Sequence, residues 1–247
     1  MKPHRFLSEA AQNTRSYPPD DPLPAIQPGS RKTSVEVVNE TTLTAARRLT
    51  EAGLRTAALN FASAKNPGGG FLGGARAQEE SLARSSGLVA CLNGQPMYEF
   101  HRNQRDPMYS DYVIYSPDVP IFRTDDGILL EQPYLSAFIT SPAVNAKVVL
   151  ERDPSRKSEI RDAMTRRIAK VLAVAAFHNH HTLVLGAWGC GVFGNDSREI
   201  AELFSEALSG DVSGVFENVV FAITDWSDNS RFIGPFYRLF GDNDNGR

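Results

Sequence analysis

Two short apolar runs, each followed at once by a glycine-rich segment, constrain the fold of this chain most strongly. The runs cover residues 56–59 and 182–185, and such continuous apolar runs are typical of strands covered on both faces of a sheet. Helical patterns alternate with them, the longest over residues 158–178. The alternation predicts an α/β sandwich, a mixed sheet with helices on both faces. Ligands of such sheets bind beyond the carboxyl ends of strands, where both glycine-rich segments lie.

Length and charge limit the classes of protein that the chain can belong to. Its 247 residues suit one large domain, for which we predict residues 34–240, with an arm at 1–33 and a frayed tail at 241–247. A net charge of -3 gives no global electrostatic reason to bind duplex nucleic acid or an anionic membrane. We find no apolar run near the roughly 20 residues of a membrane helix and no signal-peptide core. Two isolated cysteines, Cys91 and Cys190, predict reduced thiols in a cytoplasmic protein.

The first loop, residues 60–80, combines backbone freedom with a doubled carboxylate in the sequence NFASAKNPGGGFLGGARAQEE. Glycine lets a ligand approach backbone amides closely. The pair Glu79 and Glu80 opens a helix predicted over residues 79–92. Acids in a first helical turn are usually solvated, but this pair closes a glycine-rich loop. Neighbouring helical residues point about 100° apart, so one acid can hold a ribose hydroxyl while the other faces a bond to be broken.

The second loop, residues 186–194, contains a G-x-G-x-x-G match at 189–194, between a predicted strand and a helix predicted over 197–208. Residues 68–73 match the same pattern. Inward-pointing amides near a helix start favour phosphate oxygens, so the two loops suggest two walls of a diphosphate cradle. A nicotinamide-dependent oxidoreductase fits poorly, because the expected acid about 20 residues further on is replaced by the much more distant Asp225. ADP-ribose, the shared part of such cofactors, is the favoured ligand.

Several residues keep two interpretations at this level. Phe193 is either buried or a lid over a ribose or base, and Asn60 either orients a ligand hydroxyl or binds the loop backbone. The run at residues 178–181, HNHH, is interpreted as a solvated helix end and not as a metal site. Asn39 and Asp225 follow predicted strands and are candidates for adenine contacts.

Together these residues resemble a known family. Three consecutive glycines, seven residues and then Gln78-Glu79-Glu80 resemble the signature of poly(ADP-ribose) glycohydrolases, and residues 60–88 resemble their bacterial-type members. Residues 189–195 resemble the second ligand loop of the macrodomain fold. The resemblance implies a three-layer α/β/α macrodomain-like sandwich with a mixed sheet and an N-terminal extension.

The resemblance also implies an activity, a substrate and residue roles. The chain would hydrolyse ribose–ribose O-glycosidic bonds of poly(ADP-ribose), or act on ADP-ribosylated proteins, and release ADP-ribose without a cofactor or metal. Glu80 would be the general acid and then the base for water, while Glu79 would bind ribose hydroxyls. The other implied substrate contacts are Gly68, Gly69, Gly70 and Phe71 beside the diphosphate and distal ribose, Gln78 as a brace of loop or ligand, and Gly189, Gly191, Val192, Phe193 and Gly194 on the opposite side.

Two further expectations come with the resemblance. Bacterial-type members resemble exo-acting enzymes, and residues 1–33 could cap the ribose end. Either Ser63 or Asn66 would support the catalytic acid. A non-catalytic reader of ADP-ribose is the main alternative, since a reader shares the loops but does not need two acids.

Overall fold

The strands form one mixed sheet at the centre of the molecule. In the computed structural model, which describes residues 3–27 and 29–241, they are β1 Arg15–Tyr17, β2 Ser34–Val38, β3 Thr56–Phe61, β4 Val113–Arg123, β5 Leu129–Ser141, β6 Thr182–Leu185 and β7 Asn218–Ala222. Their order is β1-β4-β5-β3-β6-β7-β2. The five strands from β5 to β2 are parallel, whereas β4 runs antiparallel to both β5 and β1.

Helices cover both faces of this sheet. They are α1 Pro3–Asn13, α2 Thr42–Glu51, α3 Gln78–Ser85, α4 Leu88–Leu92, α5 Pro96–Asn103, α6 Ala146–Arg152, α7 Lys157–Phe177, α8 Ser197–Ser209 and α9 Gly234–Phe240. Side chains of α6 to α9 share one apolar core, and those of α1, α2, α3, α4 and α5 share a second. The predicted three-layer macrodomain-like sandwich with a mixed sheet is therefore confirmed. Within residues 3–27 and 29–241, no helix is long and apolar enough to span a membrane.

Strands β3 and β6 lie side by side and place the two glycine-rich loops. They are parallel neighbours, with Ala58 opposite Val184. Along β3, Ala57 and Leu59 face one core while Ala58 faces the other, as expected of a strand that is buried on both faces. Because parallel strands end at the same sheet edge, the first and second loops meet there.

The predicted helix over residues 79–92 is wrong in one respect, because the structure divides it into α3 and α4. At the break, the Gly87 N–H donates to the Pro120 carbonyl at 2.9 Å. A Cβ at Gly87 would lie 2.5 Å from Leu7 Cδ1, so a larger residue here would have to displace the Leu7 side chain of α1.

The N-terminal segment is packed onto the body and is not a free arm. Ala10 of α1 is buried, and β1 adds an edge strand to β4. Lys170 of α7 donates to the Pro18 carbonyl, and Gly29 packs against Gly214. The predicted frayed tail lies largely outside the described residues, which end at Gly241.

The sequence predicted that the histidine run at residues 178–181 is a solvated helix end, and this prediction is wrong. The His178 ring stacks on Tyr115 with 3.6 Å between centroids, and its Nε2 contacts the Tyr17 hydroxyl at 2.7 Å. His180 is fully buried against the Tyr115 hydroxyl. Burial lowers the pKa of both rings to about 4. These histidines are neutral and join α7 to the sheet.

Candidate active site

Gln78, the first residue of α3, ties that helix to the end of β3. Its side-chain oxygen accepts from the Phe61 N–H at 2.9 Å, and its Nε2 donates to the Leu59 carbonyl at 2.7 Å and to Thr42 Oγ1 at 3.1 Å. The amide thus pairs with the backbone of β3 as an additional strand residue would. Gln78 braces the loop, one of the two roles foreseen for it, and it fixes the position of the two acids that follow.

Glu79 is held in the interior by hydrogen bonds from two residues, Asn60 and Ser63. Asn60 Nδ2 donates to its Oε1 at 3.3 Å and to Thr140 at 3.2 Å, and the Ser63 N–H donates to its Oε2 at 2.6 Å. Only 3% of Glu79 is exposed. Burial, reinforced by the charge of Glu80 and opposed by these hydrogen bonds, raises the pKa of Glu79 to about 8. Glu79 therefore keeps its proton at neutral pH.

Glu80 is fixed by backbone amides from both sides. Its Oε1 accepts from the Gly70 N–H at 2.9 Å, and its Oε2 accepts from the Ala77 N–H at 3.0 Å. The second contact is the carboxylate half of a capping box at the start of α3. One side chain thus closes the first loop onto the helix, and its carboxyl faces the cavity described below.

The glycines of the first loop make room for these acids. Gly69 has φ +63, and a Cβ there would lie 2.2 Å from Glu80 Oε1 and 3.0 Å from Glu79 Oε2. Gly68 has φ +74 and is hemmed in by Val89 and Ala83. The sequence analysis explained these glycines by the close approach of a ligand. In the structure, the missing side chain of Gly69 first leaves space for the carboxyls of Glu79 and Glu80.

The second loop has closed ends and an open middle. A Cβ at Gly189 (φ +75) would lie within 2.6 Å of Asn195 and Ala143, and Gly194 (φ +70) sits against Lys147. Gly191 has no neighbouring atom within 4 Å of a Cβ position. Packing within the protein therefore does not require a glycine at position 191.

The tip of the second loop carries two apolar side chains with different surroundings. Val192 is 84% exposed. Phe193 is half-buried, its carbonyl accepts from the Lys147 N–H at 2.9 Å, and its ring lies 6.1 Å from that of Tyr109. Phe193 is thus neither fully buried nor free, and it forms part of the cavity wall.

A cavity of about 720 Å³ separates the two loops, within the usual range for small-molecule sites. Both glutamates, Gln78, Gly189, Gly191, Val192 and Phe193 line it. A second cavity of about 440 Å³ adjoins it. The two share the lining residues Phe61, Arg76, Ala77, Gln78, Ala187 and Gly191, so they form one trough with the carboxyls towards one end.

Some predicted site residues lie elsewhere. Phe71 packs against Gly68 and lines neither cavity. No described residue of the N-terminal 33 lines them either, so the segment does not cap the site as expected. Neither candidate support of the catalytic acid reaches Glu80: the Ser63 backbone serves Glu79, and the Asn66 carbonyl accepts from the Gly69 N–H.

The two candidates for adenine contacts bind each other. Asn39 Nδ2 donates to the Asp225 carbonyl, and the Asp225 N–H donates back to Asn39. The Asp225 carboxylate accepts from Ser227 and from the Phe232 and Ile233 N–H groups. Although burial raises the pKa of Asp225, these hydrogen bonds outweigh it and lower the pKa to about 2. Asp225 thus shapes the segment that brings Phe232 into the smaller cavity.

Several wall residues were not singled out by the sequence analysis, and three of them have large side chains or come from outside the two loops. Tyr109, Ala143 and Trp188 line the larger cavity. Trp188 lies inside the second loop and could have been found from that position. Tyr109 and Ala143 come from connections whose place in the fold depends on tertiary contacts, and the sequence carries no local signal for them.

Fold and site together define the class. An α/β/α sandwich whose two glycine-rich loops enclose a trough with a pair of buried carboxyls is a macrodomain-like glycoside hydrolase.

Comparisons with known proteins identify the family. The family model described as "Microbial-type PARG, catalytic domain" matches residues 3–124. The structure of poly(ADP-ribose) glycohydrolase from Thermomonospora curvata is 50% identical, covers 96% of this chain and 89% of its own, and superposes with a TM-score of 0.90. The Deinococcus radiodurans enzyme in complex with ADP-ribose is 44% identical, with 94% and 96% covered and a TM-score of 0.88. The comparison with curated proteins found no match. The chain belongs to the microbial-type poly(ADP-ribose) glycohydrolase family.

Proposed function

We infer that this chain hydrolyses the ribose–ribose O-glycosidic bonds of poly(ADP-ribose) and releases ADP-ribose. The observation that carries the inference is the convergence of Glu79 and Glu80 on Gly69, within a cavity between two glycine-rich loops. A protein that only bound ADP-ribose would gain nothing from burying a carboxyl group beside a second acid, because the burial of such polar groups costs free energy. The relative crystallised with the inhibitor ADP-HPD, the Thermomonospora curvata glycohydrolase, is 49% identical over 95% of this chain and 88% of its own, with a TM-score of 0.85.

The trough suggests how the ligand lies. The distal ribose occupies the larger cavity beside the glutamates, and the diphosphate passes between Gly191 and Arg76, which line both cavities. The adenosine occupies the smaller cavity, whose wall includes Phe232 and Thr224. Gly191 is then glycine because the phosphates come close to its backbone. The ADP-ribose bound to the Deinococcus radiodurans relative supports this ligand class.

The two acids take different parts in the reaction. Glu80 gives a proton to the leaving 2′-oxygen as its bond to C1″ breaks, and then accepts a proton from the water that adds to C1″. The neighbouring diphosphate stabilises the positive charge that develops on the ribose. Glu79, fixed by Asn60 and Ser63, holds the ribose hydroxyls. Because burial keeps a proton on Glu79, the pair enters the reaction with one proton, which passes from Glu79 to Glu80 and from Glu80 to the leaving oxygen.

The direction of attack on the polymer is the next part of the proposal. The catalytic machinery lies within residues 34–240, and the enzyme acts from the chain end. The segment after β7 is oriented by Asp225 and contributes Phe232 to the wall of the adenosine cavity. We propose that this wall blocks a polymer that continues past the adenosine ribose. ADP-ribose as the initial product would support exo action, and longer oligomers would contradict it.

The free, buried thiols of Cys91 and Cys190 support a cytoplasmic location.

The activity is tested by replacing Glu80 with glutamine and measuring release of ADP-ribose from labelled polymer. We expect the unmutated protein to turn over and Glu80→Gln to lose about 10²- to 10⁴-fold in kcat, the range for a positioned acid–base group. Near-normal turnover by the variant would contradict the mechanism. Tight polymer binding without turnover by the unmutated protein would identify a reader instead.

A further inference from the structure

Part of the wall of the larger cavity is not shared with the smaller cavity, and this part includes both glutamates, Lys65 and Tyr109. Arg102 lines neither cavity but donates to the Lys65 carbonyl. We term Lys65, Tyr109 and Arg102 the outer rim. If the distal ribose lies beside Glu80, as the proposed function requires, the group that leaves from C1″ emerges at this rim.

The two cations of the outer rim are held next to each other. Arg102 Nη1 donates to the Lys65 carbonyl at 2.7 Å, and His101 Nδ1 lies 3.2 Å from the Ala64 carbonyl. These contacts pin the last turn of α5 to the first loop. Arg102 is exposed and Lys65 is partly exposed, so both charges can reach a ligand.

Acids of the adjoining segment do not neutralise these cations. Asp106 is paired with Arg156 at 3.0 Å. Asp111 is paired with Arg166 and Arg167, each at 3.0 Å. The outer rim therefore carries a net positive charge beside the cavity.

Tyr109 adds an aromatic face that the backbone holds under strain. Its φ is +55, a conformation that costs a non-glycine residue free energy and that recurs at functional sites. Its neighbours fix it there: the Met108 carbonyl accepts from the buried Arg167, and Ser110 Oγ contacts His101 Nε2 at 2.7 Å. The ring itself lies 5.7 Å from His101 and forms part of the cavity wall.

The chemistry of the leaving group matches this rim. In the proposed reaction the 2′-oxygen belongs to the adenosine of the next unit, so an adenine and a diphosphate follow directly. We propose that the outer rim is a leaving-group subsite, in which Lys65 and Arg102 bind the diphosphate of the departing unit and Tyr109 stacks on its adenine. Cations beside an aromatic ring are the general means by which proteins hold single-stranded nucleotides. The inference rests on the proposed function, which places the ribose beside Glu80.

The test compares two substrates that share the bound unit and differ in the leaving group. The leaving group of labelled poly(ADP-ribose) is an adenosine diphosphate derivative. The leaving group of 4-nitrophenyl ADP-ribose is nitrophenol, which carries neither phosphate nor adenine. We expect Lys65→Gln/Arg102→Gln to lower kcat/KM on polymer about tenfold, as two exposed charge contacts allow, and to leave the nitrophenyl substrate within about twofold. The double variant Arg31→Gln/Lys32→Gln removes the same charge from exposed positions that line neither cavity and should change neither.

A second variant addresses the ring. Asparagine tolerates φ above zero, so Tyr109→Asn keeps the backbone and removes the stacking face. We expect the decrease in kcat/KM of this variant on polymer to exceed its decrease on the nitrophenyl substrate by about fivefold, the lower range for one stacked base.

Raised salt tests the charge contacts. It should remove the difference in kcat/KM on polymer between the unmutated protein and Lys65→Gln/Arg102→Gln.

The outcomes separate the subsite from the proposed function. Equal losses on both substrates, or no loss on either, would overturn the subsite while leaving the hydrolase intact. If the unmutated protein cleaved neither the polymer nor 4-nitrophenyl ADP-ribose, the proposed function would be overturned, and the subsite with it.

Discussion

The two glycine-rich loops carry the same G-x-G-x-x-G letters and use them differently. In the first loop, a Cβ at Gly69, which lies between the first two glycines of the match, would be 2.2 Å from Glu80 Oε1, so this glycine makes room for the acid. In the second loop, Gly191 has nothing within 4 Å of a Cβ position, and the adjacent Val192 is 84% exposed. One loop closes on its own acids, and the other is open towards the cavity.

The contrast separates catalysis from binding. A glycine that packs against Glu80 controls where a reacting group stands, so its replacement should act on kcat and on stability. A glycine that faces an empty cavity can be required only by a ligand, so its replacement should act on affinity alone.

The largest effect is expected at Gly69. In Gly69→Ala the new methyl group displaces Glu80 by about 1 Å and crowds Glu79, and a displacement of that size costs on the order of 10²-fold or more in rate. The left-handed backbone adds about 1 to 2 kcal/mol of destabilisation. Steady-state kinetics on labelled polymer and thermal unfolding would measure both. An active and stable variant would show that the first loop does not position the acid.

The next effect concerns the proton of Glu79. Its pKa is about 8 in the folded protein and lower in the unfolded chain, so the folded state binds the proton more tightly. Stability from this group is complete below about pH 4.5 and is lost as pH rises to 8, at roughly 1.4 kcal/mol for each pKa unit. Glu79→Gln does not titrate and should lack this decline, which urea unfolding at pH 5 and pH 8.5 would show. If the free energy of unfolding fell equally in the unmutated protein and in Glu79→Gln, the titrating proton would belong to another group. Activity of the unmutated enzyme should also fall above about pH 8.

A smaller loss is expected from the brace of the first loop. Gln78→Ala leaves the Leu59 carbonyl and the Phe61 N–H without their side-chain partner, a change worth about 2 kcal/mol and a Tm decrease of about 5 °C. The exposed Gln12, whose side chain donates to Ser8 Oγ, provides the matched Gln12→Ala control, with an unchanged Tm. Equal Tm values for the two variants would show that Gln78 does not hold α3 to β3.

The smallest effect is expected at Gly191. Gly191→Ala should leave Tm unchanged and weaken ADP-ribose binding about fivefold, the low end of the cost of one misplaced methyl group. Isothermal titration with ADP-ribose measures it. Unchanged affinity would mean that the phosphates do not approach this backbone.

The sequence predicted those parts of the site whose signals are local. Glycines, acids and strands stand next to one another in both loops, so their meeting at one sheet edge followed from parallel pairing of β3 and β6. The break at Gly87 did not follow, because the Gly87 N–H is bonded to the carbonyl of Pro120 in β4, which is distant in sequence. Tyr109 was equally out of reach, since the buried Arg167 that holds its neighbour comes from a distant helix. The raised pKa of Glu79 is a consequence of burial, which adjacent letters do not reveal.

Glu79 and Glu80 have separate roles in the proposed reaction, and a crystal structure of this protein with ADP-ribose would show where each carboxyl lies. We expect a Glu80 carboxyl oxygen about 2.6 to 3.2 Å from the oxygen on C1″, with Glu79 bound to the ribose hydroxyls. Glu79 at the C1″ oxygen, with Glu80 still turned to the Gly70 and Ala77 amides, would contradict it.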